Sequence, residues 1–220
     1  MGCPVLIIGK SGSGKSASME HCVGKDFACI KAIGKPFPFR GKIPTAVTDD
    51  YMEVMKGIMN PAKSIVIDDA GYLITNYFMK NHSKGGSGSS TFDMYNKMAD
   101  NFWNLIEYIM KLPEDKIVYI IMHEEQDDFG NIKPKTIGKL LDQKVCIEGM
   151  CTIVLRCINS STEHKFITQS DGQAVSKSPK GMFDSLEIPN DLLLVDNCIR
   201  EYYGIENPKN AEKGEEKKNV

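Results

Sequence analysis

Eight residues near the start of the chain, Gly9-Lys10-Ser11-Gly12-Ser13-Gly14-Lys15-Ser16, satisfy G-x-x-x-x-G-K-[ST] at every fixed position. The chemistry such a stretch can do is phosphate binding. Glycines let backbone N–H groups turn inward around phosphate oxygens, and a helix beginning inside the loop adds positive potential. Lys15 would reach the β- and γ-phosphates of a nucleotide, and the Ser16 hydroxyl would ligate Mg²⁺. Gly9, Ser11, Gly12, Ser13, Gly14, Lys15, Ser16 and Ala17 are the expected cradle.

Such a cradle needs an acidic partner on another strand. "SIVIDDA" supplies an apolar run ending in Asp68 and Asp69. Asp68 is expected to hold the magnesium ion directly or through water. Asp69 is either a general base that polarises the attacking water or the cap of the helical pattern that follows. A third polar strand end, "YIIMHEE", brings His123, Glu124 and Glu125 to the same edge if its strand is central in a parallel sheet. His123 is then a phosphate or water sensor, or a strand-end histidine bonded to backbone. Glu124 and Glu125 compete with Asp69 for the role of base.

These groups need a scaffold, and the apolar pattern describes one. "PVLIIG" (4–9), "FACIKAI" (27–33), "KSIVIDD" (63–69) and "DKIVYIIMHEE" (115–125) are continuous apolar runs of strand length, as in strands buried on both faces. Helical patterns lie between them at 15–23, 48–60 (capped by Thr48 or Asp49), 70–80 and 91–113. "CTIVLRCI" and "HKFITQS" read as an antiparallel hairpin, and "NDLLLVDNCIREYY" as a closing helix capped by Asn190 or Asp191. "KGGSGSS" (84–90) reads as a flexible loop. The alternation predicts an α/β fold of three α/β/α layers around a mostly parallel sheet, with a C-terminal hairpin. The domain is expected to span residues 1–204, and the charged, apolar-poor residues 205–220 a disordered tail.

Composition narrows the function classes. The chain has 220 residues, 41% hydrophobic and 25% charged, with a formal net charge of −2. Any nucleic-acid contact must therefore come from a local patch rather than a global basic field. Seven scattered cysteines without a C-x-x-C pair argue against a zinc site or a disulfide framework. With no apolar run of spanning length and no leader-like segment, a cytoplasmic protein without membrane contact is expected. Two basic stretches remain. "KAIGKPFPFRGK" (31–42) interleaves Lys31, Lys35, Arg40 and Lys42 with Phe37 and Phe39: a single-strand platform, or a Pro-rich loop with both rings tucked into the core. "KPKTIGKLLDQK" carries Lys133, Lys135 and Lys139, which would line a DNA channel, reach a neighbouring subunit's γ-phosphate, or face solvent. Lys177, Lys180 and Arg200 admit the same readings.

Taken together, "VLIIGKSGSGKSAS", "GKPFPFRG", "IVIDDAGYL", "KTIGKLLDQKVCIEGMCTIVLR", "FITQSDG", "KSPKGMF" and "IPNDLLLVDNCIREYY" resemble the small nucleotide-binding ATPases encoded by bacteriophages, a RecA-like single-domain branch of the P-loop ATPases linked to single-strand annealing and recombination. The similarity runs over roughly residues 3–203. It implies a core in which one strand separates the cradle strand from the Asp68 strand. It also implies ATP with Mg²⁺, self-assembly into a ring or filament, and single-stranded DNA as the polymer, with a phage annealing or single-strand-binding protein as a possible companion. Lys15 and Ser16 map onto the phosphate and magnesium ligands, Asp68 onto the acidic ligand, and His123 onto the polar residue closing the strand after the acidic pair. Two features depart from the pattern: Lys10 stands where relatives often carry an acid, and "HSKGGSGSST" is unusually glycine-rich.

Three functions fit these residues. One is an ATPase acting on single-stranded DNA, with Lys135 or Lys139 completing a neighbour's site. Another is a nucleotide-gated assembly or adaptor that barely hydrolyses. The third is a small nucleotide kinase, disfavoured because such sites clamp two nucleotides with several arginines and this chain has only Arg40, Arg156 and Arg200.

Overall fold

A computed structural model describes residues 1–83, 89–160 and 163–206. Nine strands form one sheet among these residues: β1 (Cys3–Gly9), β2 (Phe27–Lys31), β3 (Thr45–Val47), β4 (Ser64–Asp68), β5 (Ile117–Gln126), β6 (Ile132–Pro134), β7 (Ile153–Asn159), β8 (His164–Ile167) and β9 (Glu187–Pro189). Their order is β3-β2-β4-β5-β1-β7-β8-β9, with β6 folded back on the end of β5. From β3 to β7 every pairing is parallel; β8, β9 and β6 pair antiparallel.

Alternation along the central strands sorts their side chains into two cores. Leu6, Ile8, Ile65, Ile67, Val118 and Ile120 face one side, covered by α1 (Tyr51–Ile58), α2 (Gly71–Asn81) and α3 (Ser89–Met110). Val5, Ile7, Val66, Tyr119, Ile121 and Leu155 face the other, under α4 (Leu192–Tyr203) and the short 3₁₀ turn Ala17–Cys22. Strands covered on both faces read as unbroken apolar runs, which is why their sequences showed no polar alternation. The result is the expected three-layer α/β/α fold with its C-terminal hairpin.

Several details differ from the sequence reading. The helix expected over 15–23 is only the six-residue 3₁₀ turn, so its dipole adds little behind the loop. Asp50, not Thr48 or Asp49, caps α1, accepting from the N–H groups of Met52 and Glu53; Asp49 instead binds Asn76 and Lys80 of α2. Asp191 caps α4, which frees Asn190 for another role. The short strands β3 and β9 had no signal: β3 is a fully exposed edge strand of three residues. The flexible-loop expectation at 84–90 and the tail expectation at 205–220 fall largely outside the described residues. All seven thiols are free.

Arg200, one of the cations weighed for DNA or a neighbouring site, is buried and structural. Its Nε donates to Asp196 Oδ2 at 2.7 Å and its Nη2 to Ser64 Oγ at 2.8 Å. Ser64 and the fully buried Tyr119 both donate to Asp196 Oδ1, so one carboxylate ties α4 to β4 and β5. Removing one member of such a pair leaves the other charge buried alone. Asp196→Ala should therefore cost about 3–5 kcal/mol in urea unfolding.

Candidate phosphate-binding site

The loop between β1 and the 3₁₀ turn is open toward the carboxyl ends of the strands. Gly12 and Gly14 adopt φ of +78° and +96°, a region that disfavours side chains. A Cβ on Gly14 would lie 2.6 Å from the His164 ring and 2.7 Å from Asn190 Nδ2; one on Gly9 would lie 2.5 Å from Cys157 O. The loop is thus packed from outside by β7, β8 and the segment before α4. Asn190 Nδ2 donates to Gly14 O at 3.0 Å, and Cys157 Sγ donates to Ser13 O at 2.8 Å. Neither Asn190, Cys157 nor His164 carried a sequence signal for this role, because the contacts span more than 140 residues of chain in each case.

Among the described residues the N–H groups of Ser11, Gly12, Gly14, Lys15 and Ser16 make no hydrogen bond to the protein, and the buried Ser13 hydroxyl is also unpartnered. Buried or inward-facing donors without acceptors are costly unless a ligand or solvent serves them. A chain of phosphates fits that deficit. Lys15 is buried and donates to Gly9 O at 2.8 Å and Lys10 O at 2.7 Å, curled over its own loop. Burial pushes its ammonium below the usual lysine range, so an arriving anion would restore its charge stabilisation.

Ser16 Oγ donates to Asp68 Oδ1 at 2.8 Å. β5 lies between their strands, with Gly9 level with His123 on one side and Ile67 level with Ile120 on the other. A hydroxyl and a carboxylate in contact at the foot of the cradle could supply two oxygen ligands to a hard cation such as Mg²⁺. No cluster of three or more His, Cys, Asp or Glu that could hold a metal exists among the described residues. Burial raises the Asp68 carboxyl above the usual range despite the Ser16 hydrogen bond.

The remaining expected site residues separate into two groups. Asp69 and His123 share the site: His123 Nε2 stands 3.6 Å from Asp69 Oδ1. Burial, then the Lys15 charge, lower the imidazole below its ordinary value, so it is neutral at pH 7. Asp69 caps nothing; it sits at φ +57°, uncommon for a residue with a side chain, and Lys35 Nζ lies 2.5 Å from its Oδ2. Glu124, expected among the catalytic groups, has a buried side chain bound at two points by Arg156, at 2.8 and 3.0 Å, with one hydrogen bond to each carboxylate oxygen. Glu125 pairs with Lys133 across the β5–β6 hairpin. A cleft of about 340 Å³ beside the loop is lined by Lys10, Arg156 and Asn159 among others, which places the unexplained Lys10 next to a second cation.

Lys135 stands next to its own His123, its N–H donating to the His123 carbonyl at 2.8 Å. Lys139 is exposed, ahead of the turn at Leu140–Lys144. Phe37 and Phe39 stack on each other at 4.9 Å and pack on the core, and Lys31 Nζ covers the Phe37 ring at 3.4 Å. The free aromatic platform considered for this loop is therefore occupied from within the chain.

A family model described as an AAA domain matches residues 1–180. The chain belongs to the AAA-domain family of P-loop ATPases. No curated protein matches it. Among solved structures, an ATPase from the type III secretion system of pathogenic bacteria is 14% identical over 71% of this chain, at a TM-score of 0.41. The Legionella pneumophila ATPase DotB is 11% identical over 91%, at 0.34. The chain spans 52% of the length of each, and likenesses this distant carry no functional implication.

The buried Asp68 carboxylate gives a measurable consequence. Because its folded value is raised, its contribution to stability is full below the unfolded carboxyl value and is lost as pH rises through the folded value. Asp68→Asn cannot ionise and can still accept from Ser16. At pH 7, without nucleotide, the variant should melt at a higher temperature than the wild-type protein. Mg·ATP should raise the wild-type melting temperature and leave the variant's nearly unchanged.

Proposed function

We propose that the protein hydrolyses Mg·ATP and uses the cycle to gate its assembly and its action on single-stranded DNA in recombination, annealing or repair of the phage type. The observation that carries the hydrolase part is the Ser16–Asp68 contact at 2.8 Å beside a glycine loop whose Ser11, Gly12, Gly14, Lys15 and Ser16 N–H groups have no acceptor among the described residues. Bound magnesium would be held by Ser16 and Asp68 and would neutralise charge on the phosphates. Lys15, released from the loop carbonyls, would follow the γ-phosphate. His123, neutral and donating or accepting one hydrogen bond, would orient the water or sense the γ-phosphate. Asp69 would take the proton as the water oxygen bonds to the γ-phosphorus and the bond to the β–γ bridging oxygen breaks, releasing ADP and phosphate. Positioning and charge stabilisation supply most of the acceleration in such reactions.

The DNA and assembly parts draw on the resemblance to phage ATPases together with the exposed cations Lys35, Arg40, Lys42 and Lys139. Lys139 is our candidate for completing a neighbour's site, whereas Lys135, whose backbone N–H meets the His123 carbonyl, would serve its own. A nucleotide-gated assembly with little turnover is the second reading, favoured by one observation: the ion pair that engages Asp69.

ATP hydrolysis measured with and without single-stranded DNA, alongside mass by light scattering, tests the reading. DNA-stimulated turnover coupled to a rise in mass is expected. Asp69→Asn should slow turnover by roughly 10²- to 10⁴-fold while retaining ATP binding. Absence of turnover at every DNA and protein concentration would leave the adaptor reading in its place.

A further inference from the structure

The cation on Asp69 belongs to a loop with its own fastening. Lys35 follows β2, next to β4 in the sheet, and lies between Gly34 and Pro36. Its carbonyl accepts from Lys31 Nζ at 2.6 Å. Lys31 is buried at the end of β2, and the same ammonium lies over the Phe37 ring. Lys31 therefore staples both sides of the turn, and the staple delivers the Lys35 ammonium to Asp69. Of that ion pair, the Asp69 side chain is 5% exposed and the Lys35 side chain 50%. The carboxylate is fixed, while the ammonium has an open path to solvent.

We propose that Lys35 restrains Asp69, holding its carboxylate away from the attacking water until the 33–42 loop is displaced. This rests on the hydrolase reading and adds its regulation. Asp69 Oδ2 is ion-paired with Lys35, while Oδ1 lies 3.6 Å from His123, so the cation draws on the carboxylate charge that would accept a water proton. A role for Lys35 as a phosphate ligand is less economical, since Lys15 and Lys135 already bring cations to that side. The pair persists at neutral pH because the hydrogen bond to Asp69 raises the Lys35 ammonium above its ordinary range. Releasing it requires moving the loop, which Lys31 holds at the Lys35 carbonyl and at the Phe37 ring. Lys35 is a positioning residue, acting only through Asp69.

The test compares steady-state ATP hydrolysis by the full-length wild-type chain, Lys35→Met and Lys35→Arg, without DNA. Affinity for a fluorescent ATP analogue and melting temperature are measured on the same samples. Lys35→Met should raise kcat roughly tenfold with KM and analogue affinity unchanged, the sign of a freed base rather than altered binding. Lys35→Arg, which keeps the ion pair, should hold kcat near the wild-type value. A second variant, Phe37→Ala, loosens the staple without touching Asp69 and should raise kcat in the same direction. A fall in kcat for Lys35→Met, or no change beside measurable wild-type turnover, overturns the restraint and leaves the hydrolase reading standing. Analogue binding without turnover in the wild type and every variant overturns both.

Discussion

One hydrogen bond organises the site: Ser16 Oγ to Asp68 Oδ1. It joins the residue that ends the glycine loop to the residue that ends β4, across an intervening strand. Neighbouring strands lie about 4.8 Å apart, so these two strands are separated by about 10 Å. The contact depends on β1, β5 and β4 being parallel and in register, with Gly9 level with His123 and Ile67, just before Asp68, level with Ile120. A shift of β5 by one residue would exchange its two apolar faces and move His123 away from the cradle. The register is locked because every side chain from Ile117 to Met122 is buried in one core or the other. The chemistry at the strand ends is thus set by packing several residues below it.

The charges at those ends are arranged as pairs. Arg156 holds Glu124, Lys133 faces Glu125, Lys35 holds Asp69, and Lys15 is turned onto loop carbonyls. Arg156 satisfies the buried Glu124 side chain at both carboxylate oxygens, whereas Lys35 balances the charge of Asp69. The hydroxyl and carboxylate at the foot of the cradle differ: they are joined to each other, and Asp68 has no cation in contact. That leaves a buried acid whose carboxyl burial pushes above the usual range.

Legibility in the sequence followed the range of each interaction. The glycine loop and the Asp68 strand were readable because their chemistry is local: fixed residue types next to an apolar run. The central place of β5 stood only as a condition in the sequence reading, because polar groups at a strand's end do not fix its position in the sheet. The short 3₁₀ turn behind the loop was misread as a helix because residues 15–23 have helical composition, while the packing of Cys157, His164 and Asn190 onto the loop leaves no comparable trace. The pairing of Glu124 with Arg156 joins positions 32 residues apart on strands that are not adjacent, and no spacing rule reports it. Asp69 was open between cap and base because an acid before a helix suits both; its left-handed backbone and its contact with Lys35 are tertiary facts. The basic, aromatic loop at 31–42 looked like a ligand platform by composition, but the structure uses its ring and its lysine on each other.

The central claim is that the loop, Ser16 and Asp68 form one site for a nucleotide and its metal ion. ATP titrated calorimetrically into the wild-type chain, in Mg²⁺ and in chelator, tests it most directly. The account predicts that Mg²⁺ tightens ATP binding by about tenfold or more, equal to at least about 1.4 kcal/mol, and that Ser16→Ala loses most of that gain. Equal affinity with and without Mg²⁺ in the wild-type chain would contradict it.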